Sequence, residues 1–247
     1  MSAPTLVLLH GVGLDHTVWE PVTALLADRF QVVTPDLPGH GARPPVPADV
    51  SLRDLADGVA SEIPAGSHLV GFSLGAMVAQ HLAIHRPELV ASLTSVSSVC
   101  SRTPDERAAV LARLDTATSN IAASSAASLH RWYDGTGVSA EQVRATESVL
   151  LANDPASFVN CYRVFATADA EIGPQLDQIT VPALAVTGAD DPGSTPEMTY
   201  RLAAAIPGCA AVIIPGARHM LPVQCPAELV DCLSSFFEKF IGGHARV

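Results

Sequence analysis

The chain has 247 residues, 48% of them hydrophobic and 16% charged, which suits one large packed core and excludes a disordered chain. Its formal net charge is −11 and its Lys and Arg residues are scattered singly, so the basic patch of a nucleic-acid binder is missing. No apolar run approaches the roughly 18–20 residues of a membrane span; Met1–Pro4 carry no basic residue ahead of the short run Leu6–Leu9, so no leader is expected and the cytoplasm is the expected location.

Thr5–Leu9 reads as a first strand, a short continuous apolar run of the kind covered on both faces. His10-Gly11-Val12-Gly13 follows at once, with glycines that let the backbone turn close to a ligand. The same loop fails as a dinucleotide-binding G-x-G-x-x-G, because His16 stands where the third glycine belongs and Asp36 sits in a Pro-Asp-Leu-Pro-Gly turn. Gln31–Thr34 is a second strand. Ser51–Ile63 is a helix whose Ser51 and Asp54 have the spacing of a helix start. His68–Val70 is a third strand, followed by Gly71-Phe72-Ser73-Leu74-Gly75 and a helix over Leu74–His85. Leu93–Val99, Ala183–Thr187 and Ala211–Ile214 complete six expected strands. Pro226–Phe240 is a closing helix with Leu229, Leu233, Phe236, Phe237 and Phe240 at helical spacing. Alternating strands and helices imply an α/β fold with a mostly parallel sheet of about six strands. The stretch from Ser101 to Gly173 breaks that rhythm with helical patterns and no convincing strand. It is read as a helical cap, 101–173, inserted into a core made of 1–100 and 174–247.

The chemistry concentrates at the strand ends. A G-x-S-x-G string between a strand and a helix is a nucleophile elbow, a tight turn that lifts the serine hydroxyl above the sheet edge. Ser73 is therefore the candidate nucleophile, and side chains at positions 71 and 75 would collide with neighbouring elements. A serine hydroxyl needs a base and an orienting acid. Gly188-Ala189-Asp190-Asp191 follows the fifth strand and Gly216-Ala217-Arg218-His219 follows the sixth, so both groups reach the carboxyl edge in the order Ser, Asp, His. Of the two aspartates Asp191 is the choice, with Asp190 the solvent-facing one. The oxyanion donors are assigned to the backbone N–H groups of Leu74 and Val12, with His10 a candidate to orient that loop. His81 and His85 have the i, i+4 spacing of metal ligands, but Leu82 stands where a zinc protease has glutamate, and they are read as a polar helix face. The five cysteines are odd in number and form no C-x-x-C pair; they are read as free, mostly buried thiols. No metal and no organic cofactor is implied.

Taken together, LLHGVG (Leu8–Gly13), PDLPGHG (Pro35–Gly41), GFSLG (Gly71–Gly75), GADD (Gly188–Asp191) and GARHMLP (Gly216–Pro222) resemble the α/β-hydrolase superfamily. Within it the chain is most similar to small carboxylesterases and 3-oxoadipate enol-lactonases. The resemblance implies a Ser-His-Asp hydrolase acting on a small-molecule ester or lactone through an acyl-enzyme. It implies neither nucleic acid nor membrane as partner, and leaves the oligomeric state open. The antiparallel hairpin with which the superfamily usually begins is expected to be missing. Arg131-Trp132-Tyr133 is similar to a cap segment of enol-lactonases, which implies that Trp132 closes the acyl pocket. Phe72 and Met220 flank catalytic positions and are candidates for substrate contact or for core. Enol-lactone substrates carry a carboxylate, for which Arg131 and Arg163 are the candidate cations, although the net charge works against an anionic substrate. Thioester hydrolysis, carbon–carbon bond hydrolysis and perhydrolysis on the same triad are alternatives, as is a ligand-binding protein that keeps the fold with little turnover.

Overall fold

The computed structural model describes residues 3–241, without the side chains of Phe240 and Ile241; the expected core role of Phe240 therefore lies outside the described residues. Six strands form one sheet: β1 (Thr5–Leu9), β2 (Gln31–Val33), β3 (Ser67–Phe72), β4 (Val90–Val96), β5 (Ala183–Gly188) and β6 (Ala210–Ile214). Their spatial order is β2-β1-β3-β4-β5-β6 and every pairing is parallel. The central strands are covered on both faces, so Leu6, Leu8, Leu9, Leu69, Val70 and Val186 are fully buried. That burial explains the continuous apolar runs in the sequence.

The chain moves outward from β1 to β2, then returns past β1 to β3 and on to β6. The crossovers reverse direction once, at the β1–β3 boundary. Right-handed crossovers then place the helices in two layers. Accordingly α1 (Glu20–Leu26) packs beside the closing helix, and α2 (Leu52–Ala60) beside α3 (Leu74–His85). α2 begins as its sequence foretells: the Ser51 side chain accepts the Asp54 N–H and the Asp54 carboxylate accepts the Ser51 N–H. At the turn between β1 and β3, the carboxyl ends of two adjacent strands diverge and leave a crevice, the usual ligand position in an open α/β sheet.

The fourth strand departs from expectation. It runs Val90–Val96 rather than Leu93–Val99 because the backbone turns at Ser97, which adopts φ 46° and cannot continue an extended strand. The Ser97 N–H is retained by the Val186 carbonyl at 2.7 Å.

Between β4 and β5 the chain forms only helices: α4 (Pro104–Ser119), α5 (Ile121–Tyr133), α6 (Ala140–Ala152), α7 (Pro155–Thr167) and α8 (Asp169–Ile172). The polar Thr116–Ala127 stretch is split at Asn120, whose side chain accepts the Ala123 N–H at 3.0 Å and starts α5. The helical excursion is closed at its base by one buried carboxylate. Asp169 takes Nη1 of Arg102 at 2.7 Å, Nη2 of Arg107 at 2.9 Å and the Arg102 N–H at 3.0 Å. The outgoing and returning chains are thus tied together. After β5 come α9 (Pro196–Ala205), α10 (Leu221–Gln224) and α11 (Pro226–Ile241), and α11 buries Leu229, Leu233, Phe236 and Phe237 as its spacing foretold. No helix among the described residues is long and apolar enough to cross a membrane.

Candidate active site

Ser73 joins β3 to α3 with φ 55° and ψ −113°, a strained conformation for a residue with a side chain. It is held by its own N–H, which donates to the Val96 carbonyl at 2.9 Å. The flanking glycines are obligatory. A Cβ on Gly71 would overlap the backbone of Gly75 and Ala76, and one on Gly75 would overlap the carbonyls of Leu9 and His10. The elbow therefore presses α3 directly against the end of β1 and the loop that carries Val12.

His219 and Asp191 come together above the same edge. Nδ1 of His219 lies 2.7 Å from Oδ2 of Asp191. A carboxylate at neutral pH only accepts, so Nδ1 carries the proton and Nε2 is left as the basic nitrogen. The second carboxylate oxygen, Oδ1, accepts the backbone N–H groups of Gly193 at 2.8 Å and Ser194 at 2.9 Å. These two donors were not anticipated from sequence; the Asp-Pro-Gly-Ser run is the turn chemistry that could have pointed to them. Asp191 is 3% exposed, whereas Asp190 faces solvent. The loop bearing His219 is anchored from below, where the Ser97 hydroxyl donates to the His219 carbonyl at 3.1 Å.

A cleft of about 600 Å³, open mouth included, is shared by Ser73, His219, Asp191 and Val12. Leu74 is the first residue of α3, and the first N–H groups of a helix have no partner within it. His10, two residues before Val12, is fully buried and donates Nδ1–H to the Gly11 carbonyl at 2.8 Å, while Nε2 accepts the Leu37 N–H at 2.9 Å. Burial lowers its pKa, and both nitrogens are committed in the neutral form. The imidazole thus pins the loop without carrying charge, although Asp36 lies 3.9 Å from Nε2.

The other singled-out residues separate into two groups. Trp132 stacks on the His219 ring, with centroids 5.6 Å apart and an interplanar angle of 22°, and it forms part of the cleft wall with Arg131. Phe72 and Met220 are fully buried and do not line the cleft; Phe72 packs edge-on against Trp19 and lies behind His219 with ring centroids 5.1 Å apart. Arg163 also lies off the cleft, since its guanidinium is spent on the carbonyls of Ala48 and Val50. In its place the cleft receives Arg113 from α4, which the sequence reading did not single out. The rings of His81 and His85 lie against each other, tilted by 47° with centroids 4.3 Å apart, and no group of three or more His, Cys, Asp or Glu among the described residues is placed to hold a metal ion.

The profile of the alpha/beta hydrolase family matches residues 6–232. The chain belongs to the alpha/beta hydrolase family. Among similar proteins, an (E)-2-((N-methylformamido)methylene)succinate hydrolase of Acinetobacter baylyi is 30% identical over 240 residues, covering 94% of this chain and 90% of that protein. A pimeloyl-[acyl-carrier protein] methyl ester esterase of Yersinia pseudotuberculosis is 30% identical over 250 residues, covering 95% and 93%. The fold is shared with the enol-lactonase of Burkholderia xenovorans at a TM-score of 0.82, 23% identity, and coverage of 96% and 92%. The α/β-hydrolase chain is therefore an enzyme of a hydrolase lineage, with relatives that differ in what they cleave.

Proposed function

We propose that this hydrolase cleaves a small carboxylic ester or lactone through an acyl-enzyme on Ser73. The observation that carries the reading is the His219–Asp191 pair, 2.7 Å apart, in one cleft with a serine on a strained elbow. His219 Nε2 takes the Ser73 proton as Oγ attacks the carbonyl carbon. Asp191 holds the imidazole tautomer and stabilises the imidazolium. The N–H groups of Val12 and Leu74 receive the developing oxyanion. The tetrahedral intermediate collapses, and His219 returns the proton to the departing alcohol oxygen. Water then attacks the acyl-enzyme, His219 takes its proton, and Ser73 is regenerated with release of the acid. The helices of 101–173 act as the cap that bounds the acyl pocket, with Trp132 closing it over His219.

The named relatives support hydrolysis and, in the esterase, hydrolysis of an ester. The test is a screen of short p-nitrophenyl esters, lactones including 3-oxoadipate enol-lactone, and acyl thioesters. Wild type should turn over at least one ester or lactone, and Ser73→Ala should lose at least about a thousand-fold in kcat. Turnover of thioesters alone would replace the bond assigned here, and equal activity in Ser73→Ala would sink the mechanism.

A further inference from the structure

The residue before His219 reaches into the helical segment 101–173, and the segment reaches back. Nη1 of Arg218 donates to the carbonyl of Arg131 at 3.0 Å. Trp132, the next residue of α5, lays its indole on the His219 imidazole, with centroids 5.6 Å apart and planes 22° apart. Two successive residues of the histidine loop thus meet two successive residues of α5, once in each direction.

The Arg218 contact answers a need of the helix. α5 ends at Tyr133, so the Arg131 carbonyl belongs to its last turn, where carbonyls have no partner within the helix. Its neighbours are satisfied locally: the His130 carbonyl accepts the Asp134 N–H at 3.0 Å, and the Tyr133 carbonyl accepts the Thr136 N–H at 3.0 Å and hydroxyl at 2.7 Å. The Arg131 carbonyl takes the Arg218 guanidinium instead, which sets a cation on the negative end of the helix dipole.

The main chain of the histidine loop is held by other groups. The Gly216 carbonyl accepts Nε2 of Gln224 at 3.1 Å, and the Arg218 N–H donates to Oε1 of the same side chain at 2.8 Å. The Ala217 carbonyl accepts the Asp190 N–H at 2.9 Å, and the His219 carbonyl accepts the Leu221 N–H at 2.9 Å besides the Ser97 hydroxyl. What is left to be set is the plane of the imidazole. The 2.7 Å bond to Asp191 fixes Nδ1, yet the ring can still rock about it and swing Nε2 away from Ser73. Phe72 meets the ring obliquely, at 45°, whereas Trp132 meets it nearly flat. A flat contact over the face opposes the rocking directly.

We propose that Arg218 and Trp132 are positioning residues for the base: they latch the end of α5 onto the histidine loop and hold the His219 ring in the plane from which Nε2 serves Ser73. The proposal rests on the hydrolase reading above. The seating of the helical segment then controls the base itself as well as the space around the substrate.

Arg218→Gln, Arg218→Lys, Trp132→Ala and Trp132→Phe are compared with wild type on 4-nitrophenyl acetate and 4-nitrophenyl hexanoate, each with a melting curve. Tyr133→Phe is the structural comparison, because it removes the 2.9 Å hydrogen bond between the Tyr133 and Thr146 hydroxyls, which ties α5 to α6. In Arg218→Gln, kcat should fall about ten-fold on both esters while KM stays within about two-fold, as expected for a misaimed reacting group. Arg218→Lys keeps a donor for the carbonyl and should recover part of the rate. Trp132→Phe keeps a ring face and should retain more of kcat than Trp132→Ala. The double variant of Arg218→Gln and Trp132→Ala should lose little more than the worse single change, since both release one latch. Tyr133→Phe should melt earlier with kcat unchanged. Tryptophan emission reads the latch without turnover. The chain has two tryptophans and Trp19 is fully buried, so acrylamide should quench Trp132 more strongly in folded Arg218→Gln than in wild type or Tyr133→Phe. An unchanged kcat in folded Arg218→Gln, a loss there confined to KM or to the longer ester, an equal loss of kcat in Tyr133→Phe, Arg218→Lys no better than Arg218→Gln, or additive losses in the double variant each overturns the latch. Absence of turnover on every ester overturns the hydrolase reading instead, and the quenching then decides the latch: equal quenching in wild type and Arg218→Gln overturns it.

Discussion

Replacing Asp191 with asparagine changes one atom and reverses the direction of one hydrogen bond. Two backbone donors, Gly193 N–H at 2.8 Å and Ser194 N–H at 2.9 Å, hold Oδ1. The asparagine oxygen must stay there. The opposite flip would set an NH2 against two N–H groups and cost at least about 2 kcal/mol for two lost hydrogen bonds. The NH2 therefore takes the Oδ2 position, 2.7 Å from His219 Nδ1 in the wild type. Facing a donor, Nδ1 must accept, and the imidazole proton moves to Nε2, the atom that has to receive the Ser73 proton. The base is present but blocked. In the serine-protease triad the same exchange costs about 10⁴-fold in kcat, which corresponds to about 5.5 kcal/mol of barrier. The assay is steady-state hydrolysis of a short p-nitrophenyl ester at neutral pH, with a melting curve to show that Asp191→Asn is folded. Retention of more than about a tenth of the wild-type kcat by a folded variant would refute the assignment of Asp191 and His219.

The clasp at the base of the helical segment 101–173 is tested by Asp169→Asn, which leaves the buried Arg102 charge (its side chain is 1% exposed) without a counter-ion. Stability should fall by about 3 kcal/mol, a drop in melting temperature of roughly 6–12 °C; an unchanged melt would mean that the helical segment is not tied down there. Acid should destabilise the protein through His40, whose pKa is lowered to about 3, chiefly by burial and further by His10. The folded state binds that proton later than the unfolded state, so stability rises with pH between about 3 and the ordinary histidine value near 6.5 and is lost as pH falls through that window. Denaturant titrations at pH 7 and 5 should show a loss of up to about 1.4 kcal/mol per pH unit below the upper limit from this one group, and His40→Asn should flatten the slope. A slope equal to wild type would remove His40 from the acid response.

The candidate catalytic edge is legible because the chemistry proposed for it dictates residue types locally. Gly71 and Gly75 are required by overlaps with neighbouring backbone, and such positions leave a fixed spacing in any sequence. Asp191 and His219 were legible because each follows an apolar strand, and strands in a parallel sheet end on one edge. The end of β4 was misread because Ser-Val-Ser-Ser-Val continues the strand pattern, and only the left-handed backbone at Ser97 stops it. The helical segment proposed as a cap was least legible. α4 and α5 are rich in Ala and Ser and carry no clear apolar stripe, so nothing local tells which way an arginine faces. Arg163 and Arg113 look alike in sequence; the packing of their helices sends one to the carbonyls of Ala48 and Val50 and the other to the cleft.

Ser73 Oγ is the atom through which the proposed acyl transfer must pass. An activated serine in this setting reacts with a fluorophosphonate to give a stable adduct at Oγ, and intact mass spectrometry followed by peptide mapping locates it. The expected result is one adduct per chain, on Ser73, absent in Ser73→Ala and strongly slowed in Asp191→Asn. Labelling elsewhere, or ester hydrolysis that persists in the unlabelled Ser73→Ala protein, would contradict it.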